Sequence, residues 1–135
     1  MNYWLIKSEP FKYSWDDLEK DQTTVWDGVR NFQARNNLKA MKKGDYALFY
    51  HSNEGKEIVG IAQITKEAYP DPQDATWVVV EVSPLQKFEE RLTLEAIKKH
   101  PILQNMALVK QNRLSVCPVT QQEFETVCNL VNATI

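Results

Sequence analysis

Six consecutive residues, Tyr46-Ala47-Leu48-Phe49-Tyr50-His51, carry bulky, mainly apolar side chains on both faces of an extended chain. Tyr46, Leu48 and Tyr50 fall on one face, and Ala47, Phe49 and His51 on the other. A strand of this kind belongs inside a sheet, with neighbours on each side and cover above and below. Ser52-Asn53-Glu54-Gly55-Lys56 supplies a turn, and Ile58 to Thr65 reads as the returning strand of an antiparallel hairpin. Gly60 within that strand marks a bulge or a close approach of another group.

The other segments are strands and helices that can pack around this hairpin. Tyr3 to Lys7 is a strand stopped by Ser8-Glu9-Pro10, because Pro10 disfavours helix at Glu9 and has no N–H for a ladder. Ser14 is placed to cap a short helix, and Thr23 to Trp26 is a short extended piece leading into an Asp27-Gly28 turn. A helix is expected from about Asn31 to Lys43, packing through Ala34, Leu38 and Met41 and closed by Gly44. Ala68-Tyr69-Pro70-Asp71-Pro72 reads as a stiff loop that would fix Tyr69 and Asp71. Trp77 to Val82 is strongly strand-forming, with Ser83-Pro84 ending it or marking a sheet edge. Thr93 opens a helix stopped at His100-Pro101, Arg113 to Pro118 forms a last short strand, and Thr120 caps a helix buried through Phe124, Val127, Cys128 and Val131. That order predicts an α+β fold built on a curled, mostly antiparallel sheet or small barrel flanked by helices, in one domain over residues 1–135.

A formal net charge of -2 argues against broad attraction to nucleic acid, but the charge is uneven. Between Gly28 and Gly44 stand Arg30, Arg35, Lys39, Lys42 and Lys43 with no acidic residue, enough for one basic face. No apolar run approaches the ~18 residues of a membrane span, and the N-terminus does not read as a signal peptide. The expected location is therefore cytoplasmic, or nuclear if the source is eukaryotic. Cys117 and Cys128 have neither disulfide nor zinc spacing, and no cofactor or metal is called for. Phosphate loop, nucleophile elbow and HExxH signatures are all absent, which makes catalysis the weaker class.

The densest chemistry lies in Val25-Trp26-Asp27-Gly28-Val29-Arg30-Asn31-Phe32-Gln33-Ala34-Arg35-Asn36-Asn37-Leu38, where an aromatic, a tight turn and several guanidinium and amide groups follow one another. Caps and solvated helix surface would use the same residue types. Trp26 and Tyr69 are the aromatics with polar neighbours, as a stacking wall for an unpaired base requires, and Tyr50 is the next candidate. Arg30, Arg35 and Lys39 are the candidates for phosphate contact. Two competing readings use the same pocket. One is an enzyme acting on modified nucleic acid with His51 or Asp71 as acid or base; the other is a module for a small metabolite or a protein.

Five stretches carry a family resemblance. They are Tyr3-Trp4-Leu5-Ile6-Lys7-Ser8-Glu9-Pro10, Trp26 through Asn36, Phe49-Tyr50-His51-Ser52-Asn53, Ala68 through Pro72, and Arg113-Leu114-Ser115-Val116. In this order they resemble the EVE domain family, with Phe32 standing where that family often has Tyr. The resemblance implies a PUA-like small β-barrel flanked by helices, and a non-catalytic module that reads a modified base, modified cytosine first, in DNA or RNA. It also implies a pocket drawing on Lys7, Ser8, Glu9, Trp26, Arg30, Asn31, Tyr50, His51, Ser52, Tyr69 and Asp71, with Arg113 and Ser115 at its edge.

Overall fold

The computed structural model describes residues 1–134. In chain order the elements are β1 (Tyr3–Ser8), α1 (Trp15–Asp21), β2 (Thr24–Trp26), α2 (Phe32–Ala40), β3 (Tyr46–His51), β4 (Glu57–Asp71), β5 (Asp74–Thr93), α3 (Leu94–Lys99), α4 (Ala107–Lys110), β6 (Val116–Val119) and α5 (Gln121–Leu130). The strands form one six-stranded sheet in the order β2-β5-β4-β3-β1-β6. The strand with two apolar faces, β3, lies inside it between β4 and β1, and Leu48 and Phe49 are fully buried.

The expected curled barrel is not formed. Closing a sheet requires its two edge strands to bond to each other, whereas among the described residues β2 bonds only to β5 and β6 only to β1. With three and four residues, these edges are short, a common way of protecting an open sheet. The α+β class stands, and the sheet is mixed: β1 runs parallel to β3 and the remaining pairings are antiparallel. Between β1 and β3 the chain passes through α1, β2 and α2, the long crossover that a parallel pair needs.

Local signals set most helix starts. Ser14 and Asp17 form a reciprocal capping box on α1, and Thr120 and Glu123 do the same on α5. Asn31 Oδ1 accepts the Ala34 N–H at 2.9 Å, and Thr93 Oγ1 accepts that of Ala96 at 3.2 Å. The end of α2 differs from expectation, coming at Ala40 rather than Lys43. Asp45 is responsible: its buried carboxylate accepts from Lys42 N at 2.9 Å, Trp4 Nε1 at 3.0 Å and Asn2 N at 3.2 Å, drawing the backbone out of the helix and onto β1.

The β4–β5 hairpin also runs further than expected. Tyr69 and Asp71 are not in a loop; they end β4, with Tyr69 opposite Val79 and Asp71 opposite Asp74. Repeated register shifts along this hairpin let it carry Pro70 without breaking. Likewise β5 continues past Pro84 to Thr93. Its second neighbour, β2, covers only Val80 to Val82, so Pro84 lies where one side of β5 is unpaired. Gly60 sits at a bulge as expected, and a Cβ there would lie 2.8 Å from both Gln86 O and Trp15 Cη2. This close approach seats α1 on the sheet.

Candidate nucleic-acid interface

The end of β1, the 9–13 turn and the segment from β2 to Val29 enclose a cleft of about 680 Å³. Sheet pairing explains part of this arrangement. Leu5 lies opposite Cys117 and Ile6 opposite Val116, and Lys7 N donates to Ser115 O at 3.0 Å, so Lys7, Ser8 and Ser115 arrive together. The far wall comes from β2, which ends in Trp26, and from Asp27, Gly28 and Val29. Gly28 has φ +77, a conformation that glycine adopts without Cβ strain.

Trp26 keeps only 9% of its surface exposed and packs edge-on against Phe49 at 5.6 Å and Tyr13 at 6.2 Å. It forms a fixed floor to the cleft rather than a free shelf. Tyr13 was not among the sequence candidates; its ring stands beside Trp26 and its hydroxyl donates to Asp21 Oδ2 at 3.0 Å, while burial pushes the phenol pKa upward. Ser8 Oγ donates to Tyr13 O at 2.5 Å. Glu9 is held by Lys12 at 2.9 Å and by the Asn53 amide. Asp27 makes no hydrogen bond or ion pair among the described residues and is the unengaged carboxylate of the cleft. Its place directly after Trp26 was the only sequence signal for that role.

Lys7 also borders a second, smaller hollow of about 270 Å³ with Tyr50 and Ser52. Its Nζ donates to Asn112 O at 3.1 Å, and burial lowers its pKa. Tyr50 is buried, which pushes its phenol up to about 12.

Several expected site residues lie elsewhere. His51 is buried, and its Nε2 accepts the Trp15 N–H at 3.1 Å, so it anchors the start of α1. Burial and the nearby Arg91 charge lower its pKa, in keeping with a neutral acceptor. Tyr69 donates to Glu81 Oε2 at 2.6 Å, under Lys66 at 4.4 Å from the ring. Asp71 is buried against Arg30 at 3.2 Å and also accepts from Gln73 N at 2.9 Å. Asn31 is spent on its cap, and Arg113 borders a separate shallow hollow with Asn31 and Gln33. Arg30 Nη1 donates to Val29 O at 3.1 Å, directly beside the cleft wall. Arg35 donates to Thr76 O at 2.9 Å, and Lys39 is exposed on α2. The cleft thus brings together Lys7, Ser8, Glu9, Trp26 and Ser115, and leaves the other candidates outside it. No cluster of metal-ligating side chains occurs among the described residues.

Comparison with known proteins matches this architecture to a group of relatives. Thymocyte nuclear protein 1 of Gallus gallus is 40% identical over 95% of this chain and 68% of its own length. A crystal structure of an Agrobacterium tumefaciens protein superposes with a TM-score of 0.96 at 42% identity, covering 100% of this chain and 97% of that one. The human THYN1 protein, crystallised in complex with 5-methylcytosine containing DNA, superposes with a TM-score of 0.91 at 36% identity, covering 100% of both chains. The curated relatives from several vertebrates bear a nuclear name, which goes against the cytoplasmic expectation and with its nuclear alternative. The EVE domain profile matches residues 2–130, and the chain belongs to the EVE domain family.

Proposed function

We propose that this protein is a DNA-binding module that takes 5-methylcytosine into the cleft between β1 and the 26–29 wall and performs no chemistry on it. The observation that carries this is the similarity, over the full length of both chains, to the human THYN1 protein solved with 5-methylcytosine containing DNA. The cleft supports it independently. Its volume falls within the ~300–1,000 Å³ of small-ligand sites. A base in duplex DNA must leave the stack to enter such a site, and its identity is then read by edge hydrogen bonds and apolar contact. Cytosine presents an exocyclic amino donor, for which a carboxylate is the matching acceptor. Of the two carboxylates that line the cleft, Glu9 is engaged by Lys12 and Asn53 and Asp27 is unengaged among the described residues, so Asp27 takes that role. Val25 and Val29 offer apolar surface for the methyl group, above the aromatic floor of Trp26 and Tyr13.

Fluorescence anisotropy of labelled duplexes differing only in one cytosine C5-methyl group tests this. Wild type is expected to bind the methylated duplex more tightly. Asp27→Ala, at an exposed position, should weaken binding to both duplexes, and Val25→Ser should bring the two affinities together. Equal affinity of the wild type for both duplexes would overturn the reading.

A further inference from the structure

The cleft wall ends at Val29, and the following residues build an aromatic patch on the surface. Phe32, the first residue of α2, leaves 59% of its surface exposed. Its ring lies against Trp77 of β5, with centroids 5.0 Å apart and planes 30° from parallel. The Arg35 guanidinium stands 4.8 Å from the Phe32 centroid and 5.9 Å from that of Trp77, and Arg30 stands 5.6 Å from Trp77. Both guanidiniums are tied down, Arg30 by Asp71 and Val29 O, Arg35 by Thr76 O. Arg30 is balanced by Asp71, whereas Arg35 has no ion pair among the described residues and is the guanidinium of the patch left to meet an outside anion.

An exposed phenylalanine adds little to a core, and holding it against Trp77 beside the Arg35 cation serves the fold poorly. It does match a nucleotide. A flat aromatic offers stacking to any base, and guanidinium groups beside it attract the attached phosphate. Position decides which nucleotide. Arg30 is bonded to the last residue of the cleft wall, and a base drawn into the cleft leaves its chain neighbour without a stacking partner.

We infer that Phe32 is the stacking platform for the nucleotide adjacent to the modified cytosine, with Arg35 drawing in its phosphate. This rests on the DNA-binding reading above and adds a second contact, one that supplies affinity without choosing the base.

The test compares wild type, Phe32→Ala, Phe32→Leu and Phe32→Tyr on the same methylated and unmethylated duplexes. Stacking on one base is worth enough for Phe32→Ala to lose roughly tenfold or more in affinity for both duplexes, with the ratio between them unchanged. Phe32→Leu keeps apolar bulk but no flat face and should lose nearly as much, while Phe32→Tyr should bind like wild type. Thermal unfolding of each variant checks that the fold is kept. Wild-type affinity in Phe32→Ala or Phe32→Leu would overturn the inference, as would loss of the methyl preference in Phe32→Ala alone. If the wild type binds both duplexes equally, the cytosine reading falls, and the Phe32 contact is still decided by the affinity of its variants for DNA. No DNA binding by wild type would overturn both.

Discussion

Arg30 and Asp71 stand 41 positions apart in the chain, yet their side chains meet at 3.2 Å, the carboxylate buried and the guanidinium part exposed. Asp71 closes the tip of the β4–β5 hairpin and Arg30 follows the cleft wall, so this contact locks the wall to the sheet. Removing the carboxylate leaves Arg30 Nη2 and the Gln73 N–H without their acceptor. Asp71→Ala is therefore expected to cost about 1–3 kcal/mol, read as a lower urea midpoint. Arg30→Ala should also weaken DNA binding at a fixed salt concentration.

At Gly60 the space for a side chain is already taken. A Cβ would stand 2.8 Å from the Gln86 carbonyl oxygen and from the Trp15 ring, and backbone cannot yield cheaply. Gly60→Ala is expected to destabilise by roughly 1–3 kcal/mol through overpacking. Urea unfolding with an unchanged m-value would identify this as lost stability rather than altered cooperativity.

His51 makes stability depend on pH. Its folded pKa lies below the ordinary 6.5, and its Nε2 must stay unprotonated to accept the Trp15 N–H. The unfolded chain takes up a proton below about 6.5 before the native state does, so stability rises with pH through this window. The contribution is complete above that value and is lost as pH falls towards and through the folded pKa. Urea midpoints at pH 7.5 and 5.5 should show it, and His51→Gln should reduce the difference between them.

Lys7 borders both hollows and, with Lys12, is one of two cations that line the cleft. If it faces phosphate, Lys7→Ala should lower the steepness of log K against log salt by about one and leave the preference for the methylated duplex in place. An unchanged salt slope would assign Lys7 to packing and its bond to Asn112 O.

What could be read directly from the sequence was local. Ser14, Thr93 and Thr120 cap helices because a cap needs only its own side chain and a backbone N–H within three residues. The two-faced pattern of Tyr46 to His51 placed β3 inside a sheet, and Gly60 marked the bulge, for equally short-range reasons. Within the stretch from Val25 to Leu38, Trp26 and the Asp27-Gly28 turn do line the cleft. The aromatic and polar types alone could not separate Asp27, free in the cleft, from Asp71, buried against Arg30.

Tertiary structure decided everything that depends on which distant segments meet. Pairing of β1 with both β3 and β6 carries Lys7, Ser8 and Ser115 to one rim, and the placement of β2 on β5 carries Trp26 to the other side. The same pairings leave β2 and β6 as separate edges, so the sheet stays open where strand count and order had pointed to a barrel. They also turn His51 into an anchor for α1 and place Trp77 under Phe32. Caps and turns are settled over a few residues of backbone. Strand order is settled by the burial of whole faces across the chain, and no local pattern of residue types encodes which faces will meet.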